Sequence, residues 1–320
     1  MLPQAQRQKT GEYEPVVTIT EGVCGGCGQT LRRSIGHKNN YELVRCSRCG
    51  NISTQGLECA AVNAADIYED YYDDASFETP AVTAGSLNRL AASFKDFQDT
   101  GRWLDIGYGA GGLLSIAEAK GWKCYGTEIA RRSLDHGQRR GWVVASEAEG
   151  DPRFPSGGFD VVTMIEFLEH VREPDRFLKA AASWLRPGGL LYLTTPNARS
   201  LNQRLLGLDW SVFAPPDHLI IWTPAGLRSA FKRNGFRVSR IRTEGLNPCE
   251  IRAHLAPTRG GRSDVPINRN RAALRLNEAI SKSAFRRTIK RGFNSCLSVL
   301  RAGDTIKAWA IRDAGSGETK

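Results

Sequence analysis

The feature that most constrains this chain is a glycine-rich turn between Arg102 and Gly112, where the sequence reads RWLDIGYGAGG. The apolar run predicts a buried parallel strand, and the four glycines allow a sharp turn and a close approach of the backbone to a ligand. A helix is expected to start at Leu113. A strand, a glycine turn and a helix in this order are typical of a nucleotide pocket in an α/β protein.

The acids near this turn decide between two kinds of nucleotide. Gly107, Gly109 and Gly112 also satisfy the Gly-x-Gly-x-x-Gly pattern of dinucleotide sites. A pyrophosphate, however, requires N–H donors without a carboxylate beside them, whereas the cationic amino group of S-adenosylmethionine can meet Asp105. Glu128 ends the next predicted strand, KCYGTEI, where a carboxylate can accept hydrogen bonds from both ribose hydroxyls. The residues therefore predict S-adenosylmethionine as the cofactor.

Three further blocks follow in order: FDVVTMIEFLEHV at 159–171, WLRPGGLLYLTTPN at 184–197 and PPDHLIIWTPAGLRSAFKRNGF at 215–236. With the glycine turn, they resemble the class I S-adenosylmethionine-dependent methyltransferases, in particular the branch of ubiquinone-biosynthesis O-methyltransferases and many bacterial sugar and polysaccharide methyltransferases. The resemblance covers roughly residues 60 to 245. The expected cofactor-binding residues are Asp105, Gly107, Gly109, Gly111, Glu128, Glu147 and Ile165.

The resemblance also implies how several side chains lie around the cofactor. Glu147 stands where relatives present an acid near the adenine amino group. Tyr108 replaces the small residue or cysteine common in the family, so we expect its ring to press on the cofactor rim. A tyrosine-rich segment with Tyr68, Tyr71 and Tyr72 either lies over the cofactor mouth or packs the N-terminal part of the chain onto the main domain.

Strand and helix patterns alternate from residue 102 onwards, which predicts a doubly wound parallel α/β sheet. Strands are expected near 102–107, 123–128, 141–145, 159–165 and 189–195, and helices near 112–120, 131–140, 173–185 and 224–234. FRVSRIRTEG at 236–245 predicts a sixth strand. DTIKAWAIR at 304–312 resembles the seventh, antiparallel strand of the methyltransferase fold, so the preceding basic segment is expected to be an insertion.

Two cysteine pairs precede this domain, Cys24 with Cys27 and Cys46 with Cys49, and 18 residues separate them. Each pair is followed by glycine, which allows the tight turn that points two thiolates at one ion. The spacing is typical of a zinc ribbon with four cysteine ligands over 21–58, whereas the alternative is two unrelated pairs of surface thiols. A structural role is expected because four cysteines leave no coordination position for a substrate.

The length of 320 residues allows one large α/β domain and a small attachment. We expect a disordered tail at 1–20, the ribbon at 21–58, the methyltransferase domain at 59–245 and 303–313, a basic helical insertion at 246–302 and a tail at 314–320. No stretch approaches 18 apolar residues and the N-terminus has no apolar core. A cytoplasmic protein is therefore expected, at most peripheral to the inner face of the membrane.

The charge is concentrated in residues 251–302, which hold twelve Lys and Arg against only Asp264 and Glu278. Such a segment predicts a surface for an anionic partner, and its sequence can form amphipathic helices. We expect it to meet an anionic membrane surface that carries a lipid-linked glycan or an isoprenoid acceptor. The other interpretation is a solvated basic face that packs its apolar side onto the sheet.

Catalytic candidates follow the fourth strand, because the reactants in an open α/β sheet meet beyond the carboxyl ends of its strands. Glu166, Glu169 and His170 are expected to share one helical face. They could hold a divalent cation, as a similar run does in the ubiquinone-type enzymes, or only cap the helix and orient the cofactor. His170 is the first candidate for a general base, His218 of the PPDHL segment is the second, and Glu166 is a further catalytic candidate.

Three functions compete at this stage. A methyltransferase for a small-molecule, sugar, glycan or isoprenoid-type acceptor, including a lipid- or nucleotide-linked glycan, is the leading interpretation. An RNA methyltransferase with a ribbon that assists RNA binding is the alternative, but IEFL at 165–168 stands where an Asn/Asp-Pro-Pro-aromatic loop would be expected. The basic segment offers only Phe285 and Phe293 for base stacking. A non-catalytic docking module is the third, and the intact Asp105 and Glu128 argue against it.

Overall fold

The computed structural model describes residues 23–30, 32–56, 72–255 and 284–313. Within them the strands are β1 (Arg32–Lys38), β2 (Tyr41–Cys46), β3 (Ile52–Gln55), β4 (Arg102–Ile106), β5 (Lys123–Thr127), β6 (Val143–Ala145), β7 (Phe159–Ile165), β8 (Leu185–Pro196), β9 (Ile220–Ile221), β10 (Phe236–Glu244) and β11 (Thr305–Arg312). The α-helices are α1 (Ala81–Ala92), α2 (Gly112–Glu118), α3 (Arg131–Arg139), α4 (Pro174–Trp184), α5 (Leu201–Leu206), α6 (Pro224–Arg233), α7 (Pro248–Leu255) and α8 (Ala284–Val299). The expected tails and the side chains of Tyr68 and Tyr71 lie outside the described residues.

The main sheet has seven strands in the order β10-β11-β8-β7-β4-β5-β6. The strands from β8 to β6 pair in parallel, and β11 pairs antiparallel with both β8 and β10. This arrangement confirms the predicted doubly wound sheet with an antiparallel last strand. It also places the carboxyl ends of β4, β5, β7 and β8 along one edge, where the candidate residues follow.

The sheet is covered on both faces, which explains why its central strands are apolar almost throughout. Trp103 and Leu104 are neighbours in β4 but enter separate buried clusters on opposite faces. Val161 and Val162 of β7 divide in the same way, because successive side chains of a strand point to opposite sides. Both layers therefore fix the register of the strands that end at the site.

A second sheet in the order β1-β2-β3-β9 carries the cysteine pairs. Its last strand, β9, directly follows the PPDHL segment (215–219) of the main domain, with Ile52 opposite Ile221 and Ser53 opposite Ile220. A shared apolar cluster lies between the two parts and consists of Leu43, Ile52, Ala198, Leu206, Trp210, Phe213 and Ile221. The ribbon is thus joined to the main domain by a common sheet and a common core.

The basic segment is described only at its two ends. Helix α7 begins it and helix α8 lies towards its end, in agreement with the expected helices, whereas residues 256–283 lie outside the described part of the chain. On α8, Ile289 and Phe293 are one turn apart and exposed. Among the helices described, none combines the length and apolar character needed to cross a bilayer.

Candidate cofactor and acceptor site

The glycine turn after β4 adopts a backbone that requires glycine. Gly107, Gly109 and Gly111 have φ angles of +68°, +57° and +75°, in the left-handed region that other residues rarely adopt. A Cβ atom on Gly107 would lie 2.6 Å from the ring of Phe167, and one on Gly111 would lie 2.6 Å from Trp142. The left-handed conformations confirm the sharp turn expected of these glycines, and aromatic side chains occupy the space beside Gly107 and Gly111.

Asp105 lies at the end of β4 and is only 2% exposed. Its Oδ1 accepts a hydrogen bond of 2.5 Å from the hydroxyl of Thr163, which in turn accepts one of 2.9 Å from Nε1 of Trp103. The pKa of Asp105 is raised to about 7, because burial raises it strongly and the negative charge of Glu128 raises it as well, whereas the Thr163 hydrogen bond lowers it. A cationic group that enters beside this carboxyl would favour its ionised form.

Glu128 follows β5 and is held by backbone donors. Its Oε2 accepts from the N–H of Gly109 at 2.9 Å, and its Oε1 accepts from those of Ile129 at 2.8 Å and Ala130 at 3.2 Å. The Gly109 bond ties the carboxylate to the glycine turn. Since a carboxylate has about four lone-pair sites, Glu128 retains capacity to accept a bond from a ribose hydroxyl.

A cavity of about 660 Å³ opens at this edge of the sheet. Among the predicted site residues, its walls include Gly107, Glu128, Glu147, Glu166 and His170. The carboxylate of Glu147 accepts a hydrogen bond of 2.5 Å from Arg176, so an adenine amino group would compete with this cation. The predicted role of Glu147 therefore remains a prediction.

Tyr108, Tyr72 and Ile165 are all candidates for positions near the cofactor, and the structure places only Tyr72 of these three at the cavity. The expectation for Tyr108 is wrong, because its ring is buried and its hydroxyl donates to the carbonyl of Ser133 at 2.6 Å. Gly126 leaves the space for this ring, since a Cβ there would lie 2.4 Å from it. Tyr72 lines the cavity, which favours the position at the cofactor mouth. Ile165 packs against the buried core, and it is not among the residues that line this cavity.

Residues 166–170 form a turn, and helix α4 begins only at Pro174, so the expectation that Glu166, Glu169 and His170 share a helical face is wrong. The turn forms because Glu166 adopts a φ of +48° and donates its N–H to the carbonyl of Thr194 at 3.0 Å. A left-handed conformation at a residue other than glycine costs about 1–2 kcal/mol and is concentrated at functional sites.

His170 is oriented by Asp217, which the sequence analysis did not single out. Nδ1 of His170 lies 3.0 Å from Oδ1 of Asp217 and 3.1 Å from the Asp217 carbonyl oxygen. Both oxygens only accept, so Nδ1 carries the proton, and in the neutral imidazole Nε2 is then the basic nitrogen. A carboxylate behind an imidazole is the arrangement of a general base. The signal that could have revealed it is the position of Asp217 beside His218 in PPDHL.

His218 packs edge-on against His170, with ring centroids 4.8 Å apart. Its Nδ1 lies 2.7 Å from the carbonyl oxygen of Val212 and must donate to it, which leaves a lone pair on Nε2. Burial lowers the pKa of His218, and the proximity of His170 lowers it further. The structure therefore brings the two predicted histidines together. Of the two, His170 lines the cavity and His218 does not.

Glu169 is fully buried and completes this group. One oxygen, Oε2, accepts from the hydroxyl of Thr195 at 3.0 Å, and the carboxyl group of Glu169 also forms a hydrogen bond with that of Glu166. Burial raises the pKa of Glu169 well above its usual range, and the neighbouring Glu166 raises it further. Ligand atoms of Glu169, His170 and His218 lie within 4.8 Å of one another. A carboxylate and two imidazoles are donors that a divalent cation accepts, so Glu169, His170 and His218 are the residues that would hold one, with His218 in place of the predicted Glu166.

The four predicted cysteines of the ribbon converge. Their Sγ atoms all lie within 4.8 Å of one another, with 3.6 Å between Cys24 and Cys49 and 3.5 Å between Cys27 and Cys46. Tetrahedral zinc with bonds of about 2.3 Å would place the sulfurs about 3.8 Å apart, so the set fits this ion. The two turns repeat one backbone pattern, since the N–H of each first cysteine donates to a carbonyl five residues later.

The ribbon holds the segment that carries the histidine site. Thr54 of β3 donates its N–H to the carbonyl of Leu219 and its hydroxyl to that of His218, both at 2.9 Å. Asn51 accepts hydrogen bonds from the N–H and the hydroxyl of Thr223 at 2.9 and 3.0 Å. The position of the PPDHL segment therefore depends on the strands that the cysteines anchor.

The sheet order, the antiparallel last strand and the pocket after β4 define a class I methyltransferase fold. Residues 79–241 match the family model described as a methyltransferase domain, and the chain belongs to this family. The ubiquinone biosynthesis O-methyltransferase of Idiomarina loihiensis is 38% identical over 133 residues, which cover 38% of this chain and 51% of that protein. Its counterpart in Caulobacter vibrioides is 32% identical over 166 residues, which cover 48% and 56%.

The chain thus spans about half the length of these curated relatives. Among solved structures, a SAM-dependent methyltransferase from Archaeoglobus fulgidus is similar, with 18% identity and a TM-score of 0.48. That similarity covers 78% of this chain and 100% of the other.

Proposed function

We propose that this protein is an S-adenosylmethionine-dependent O-methyltransferase that acts on a hydroxyl of a small-molecule, glycan or isoprenoid-type acceptor. The observation that carries the proposal is the pairing of His170 with Asp217 at the wall of the cavity that also contains Glu128. The names of the relatives, which are O-methyltransferases of ubiquinone biosynthesis, support oxygen as the acceptor atom.

Three residues would receive the cofactor. Asp105 offers its carboxylate to the amino group, and Glu128 offers its remaining lone pairs to the ribose. Ile129 is 41% exposed and lines the cavity next to Glu128, so it provides an apolar surface for the adenine ring. When bound, S-adenosylmethionine supplies a methyl group on a sulfonium, which is the electrophile of the reaction.

Methyl transfer is an in-line displacement, in which alignment supplies much of the rate. Nε2 of His170 accepts the proton of the acceptor hydroxyl while the new oxygen–carbon bond forms and the carbon–sulfur bond breaks. Asp217 holds the imidazole in the correct tautomer and stabilises the imidazolium that results. The leaving group is neutral S-adenosylhomocysteine, so the charges balance.

Two groups of side chains are candidate metal ligands, and a cation at the first would give a different role to His170 from the one above. A divalent cation on Glu169, His170 and His218 would lower the pKa of a coordinated acceptor hydroxyl, and His170 would then be a ligand instead of a base. Zinc on the four cysteines would be structural.

Methylation assays with a panel of catechols and hydroxylated glycans would test the proposal. We expect His170→Gln and Asp217→Asn to lower kcat by about 10²–10⁴, the range for general acid–base catalysis, with the affinity for S-adenosylmethionine unchanged. His37→Gln, on the exposed surface of β1, is the matched control. Full activity in both site variants, or binding of NAD in place of S-adenosylmethionine, would contradict the proposal.

A further inference from the structure

Exposed apolar side chains are concentrated on three helices. The described part of the chain has eight large apolar residues with exposed side chains, and six of them belong to α5, α7, α8 or the residue after α8. We call these six the apolar surface: Leu205, Leu255, Ile289, Phe293, Val299 and Leu300. The other two are Val23 of the ribbon and Ile129 at the cofactor cavity. Single exposed apolar residues are common on proteins, whereas such a concentration marks an interaction surface.

The three helices adjoin the edge of the sheet at which the candidate site lies. Helix α5 begins five residues after the end of β8, α7 begins four residues after the end of β10, and α8 ends six residues before the start of β11. Because β8 and β10 both pair antiparallel with β11, their carboxyl ends and the start of β11 share one edge. Strand β7 is parallel to β8, and Glu166 and His170, which follow β7, line the cavity at this edge.

Hydrogen bonds connect the three helices at this edge. The N–H of Leu201, the first residue of α5, donates to the carbonyl of Ala302 after α8 at 2.8 Å. The Nδ2 atom of Asn202 donates to the carbonyl of Asn247, just before α7, at 3.1 Å. Helix α5 also contacts α7. The apolar surface is therefore carried by one connected layer of the fold.

Helix α8 packs against β10 mainly through polar side chains. The Oδ1 atom of Asn294 accepts from the N–H of Gly245 at 3.1 Å, and the hydroxyl of Ser298 accepts from the N–H of Thr243 at 3.4 Å. Leu297 is buried on the same side of the helix. These contacts fix which side of α8 faces the sheet.

The most apolar stripe of α8 faces away from the protein. Ile289 and Phe293 are one turn apart, so they share a stripe of the helix, and they are 56% and 46% exposed. A helix that only covers a sheet would turn this stripe inward. The interpretation in which the basic segment packs its apolar side onto the sheet therefore does not apply to Ile289 and Phe293.

The charge around the apolar surface is positive. In the described parts of the basic segment, 246–255 and 284–302, the one carboxylate is that of Glu250, which is only 5% exposed. The sequence of α8 contains four cations and no acid: Arg286, Arg287, Lys290 and Arg291. Exposed arginines also stand on the neighbouring elements, namely Arg242 of β10, Arg252 of α7 and Arg301 after α8.

This combination of apolar and cationic groups indicates which partner fits. At an anionic bilayer, cations meet the headgroup phosphates while apolar side chains enter the boundary of the acyl chains. A second copy of this chain would bring the same positive charge against itself. A nucleic acid would neutralise the cations but leave the aliphatic side chains in water, since Phe293 is the one aromatic residue of the apolar surface.

We propose that the apolar surface, with the cations around it, docks on an anionic lipid bilayer and turns the edge of the sheet that carries the cavity towards the membrane. Docking in this orientation gives an acceptor dissolved in the bilayer a short path to His170. The docking itself does not rest on the proposed function, whereas this consequence for the acceptor does.

Flotation of the full chain with lipid vesicles tests the docking. Vesicles of equimolar phosphatidylglycerol and phosphatidylcholine are compared with vesicles of phosphatidylcholine alone, at low and at high salt. We expect partition onto the anionic vesicles to be stronger by about tenfold or more at low salt and to fall as salt screens the cations. Equal partition onto both kinds of vesicle, or none onto the anionic ones, would overturn the proposal.

Substitution of the apolar stripe tests which residues enter the bilayer. The double variant Ile289→Ser with Phe293→Ser should lower the partition coefficient by about tenfold or more, because it removes two large side chains that gain free energy on leaving water. Val23→Ser is the matched control, since it removes an exposed apolar side chain from the ribbon, and it should leave partition unchanged. The melting temperatures should stay the same because all three side chains are exposed. Unchanged partition in the double variant, or an equal loss in the control, would overturn the proposal.

Two measurements without vesicles separate the other outcomes. Sedimentation velocity that finds a dimer, which the double variant converts to monomers, would assign the apolar surface to a second copy and overturn the proposal. Binding of single-stranded RNA that the double variant loses, without binding to anionic vesicles, would overturn it as well. We expect the double variant to bind S-adenosylmethionine with the Kd of the unsubstituted protein. Loss of docking therefore stays distinguishable from failure of the proposed function, which absence of cofactor binding would show.

Discussion

At the residue scale, Asp105 and Glu128 end neighbouring parallel strands, yet different partners hold their carboxyl groups. Asp105 receives one hydroxyl hydrogen bond in an enclosed site, whereas Glu128 receives three backbone N–H groups. The enclosed acid has a pKa of about 7 before the cofactor enters. The two acids should therefore contribute to cofactor binding in ways that can be separated by pH and by substitution.

Cofactor affinity should fall as the pH is lowered through 7. A cationic amino group binds the ionised form of Asp105, so binding below its pKa requires release of a proton. We expect the Kd of S-adenosylhomocysteine, which keeps the amino group, to rise by up to about tenfold per pH unit below 7. Calorimetry between pH 5.5 and 8.5 measures this. Asp105→Asn should remove the dependence, and an unchanged slope in that variant would assign the titration to another group.

Substitution of Glu128 should weaken the cofactor at every pH. Glu128→Ala removes a charge-assisted hydrogen bond to the ribose, so the binding free energy should fall by about 1.5–3 kcal/mol. Glu118→Gln, on the exposed side of α2, is the control. Because Glu128 also caps backbone N–H groups, circular dichroism should accompany the titration. A folded Glu128→Ala variant with unchanged affinity would exclude the ribose contact.

At the element scale, β3 and β9 join the ribbon to the PPDHL segment. The hydroxyl of Thr54 donates to the carbonyl of His218, so a side chain of the ribbon positions the backbone of a histidine that contacts His170. The ribbon therefore positions the acceptor side of the cavity. The glycine turn on the cofactor side is positioned by β4 and β5.

Loss of this contact should affect methyl transfer and spare cofactor binding. Thr54→Val keeps the volume and removes one buried hydrogen bond, worth about 1 kcal/mol, so kcat should fall by about fivefold. Ser53→Ala, on the same strand but facing the other way, is the control and should leave kcat unchanged. An equal loss of affinity for S-adenosylmethionine in the Thr54 variant would show a general structural effect instead.

At the scale of the whole molecule, the ribbon and the methyltransferase sheet share a core in which Ile52 packs with Ile221 and Trp210. Burial of such side chains contributes about 1.5–3 kcal/mol each, so neither part retains its full stability without the other. A metal ion that binds the cysteines of the ribbon should therefore stabilise the main domain as well as the ribbon.

Removal of the ion from the cysteines should lower the melting temperature of the whole protein. We expect metal analysis to find one zinc per chain on Cys24, Cys27, Cys46 and Cys49. Calorimetry should show one main transition that moves to lower temperature with a chelator, because the shared core couples both parts. A transition of the methyltransferase sheet that stays in place after chelation would show that the ribbon unfolds independently.

The sequence by itself determined the elements whose causes are local. The alternation of apolar strands with helices, the glycines at Gly107, Gly109 and Gly111, and the spacing of the cysteines each follow from backbone conformation over a few residues. Strand ends placed Asp105 and Glu128 at one edge of the sheet, because parallel strands share their direction.

Only the tertiary structure decided which distant side chains meet. Asp217 lies 47 residues from His170 in the chain, and Arg45 lies 153 residues from Ala198, so no local pattern links them. Tyr108 turned into the core because Gly126, on another strand, leaves room for its ring. Such contacts depend on how the layers pack and on the pairing of β9 with β3 of the ribbon. The packing free energy of these contacts is gained only when the distant segments have come together in the folded chain.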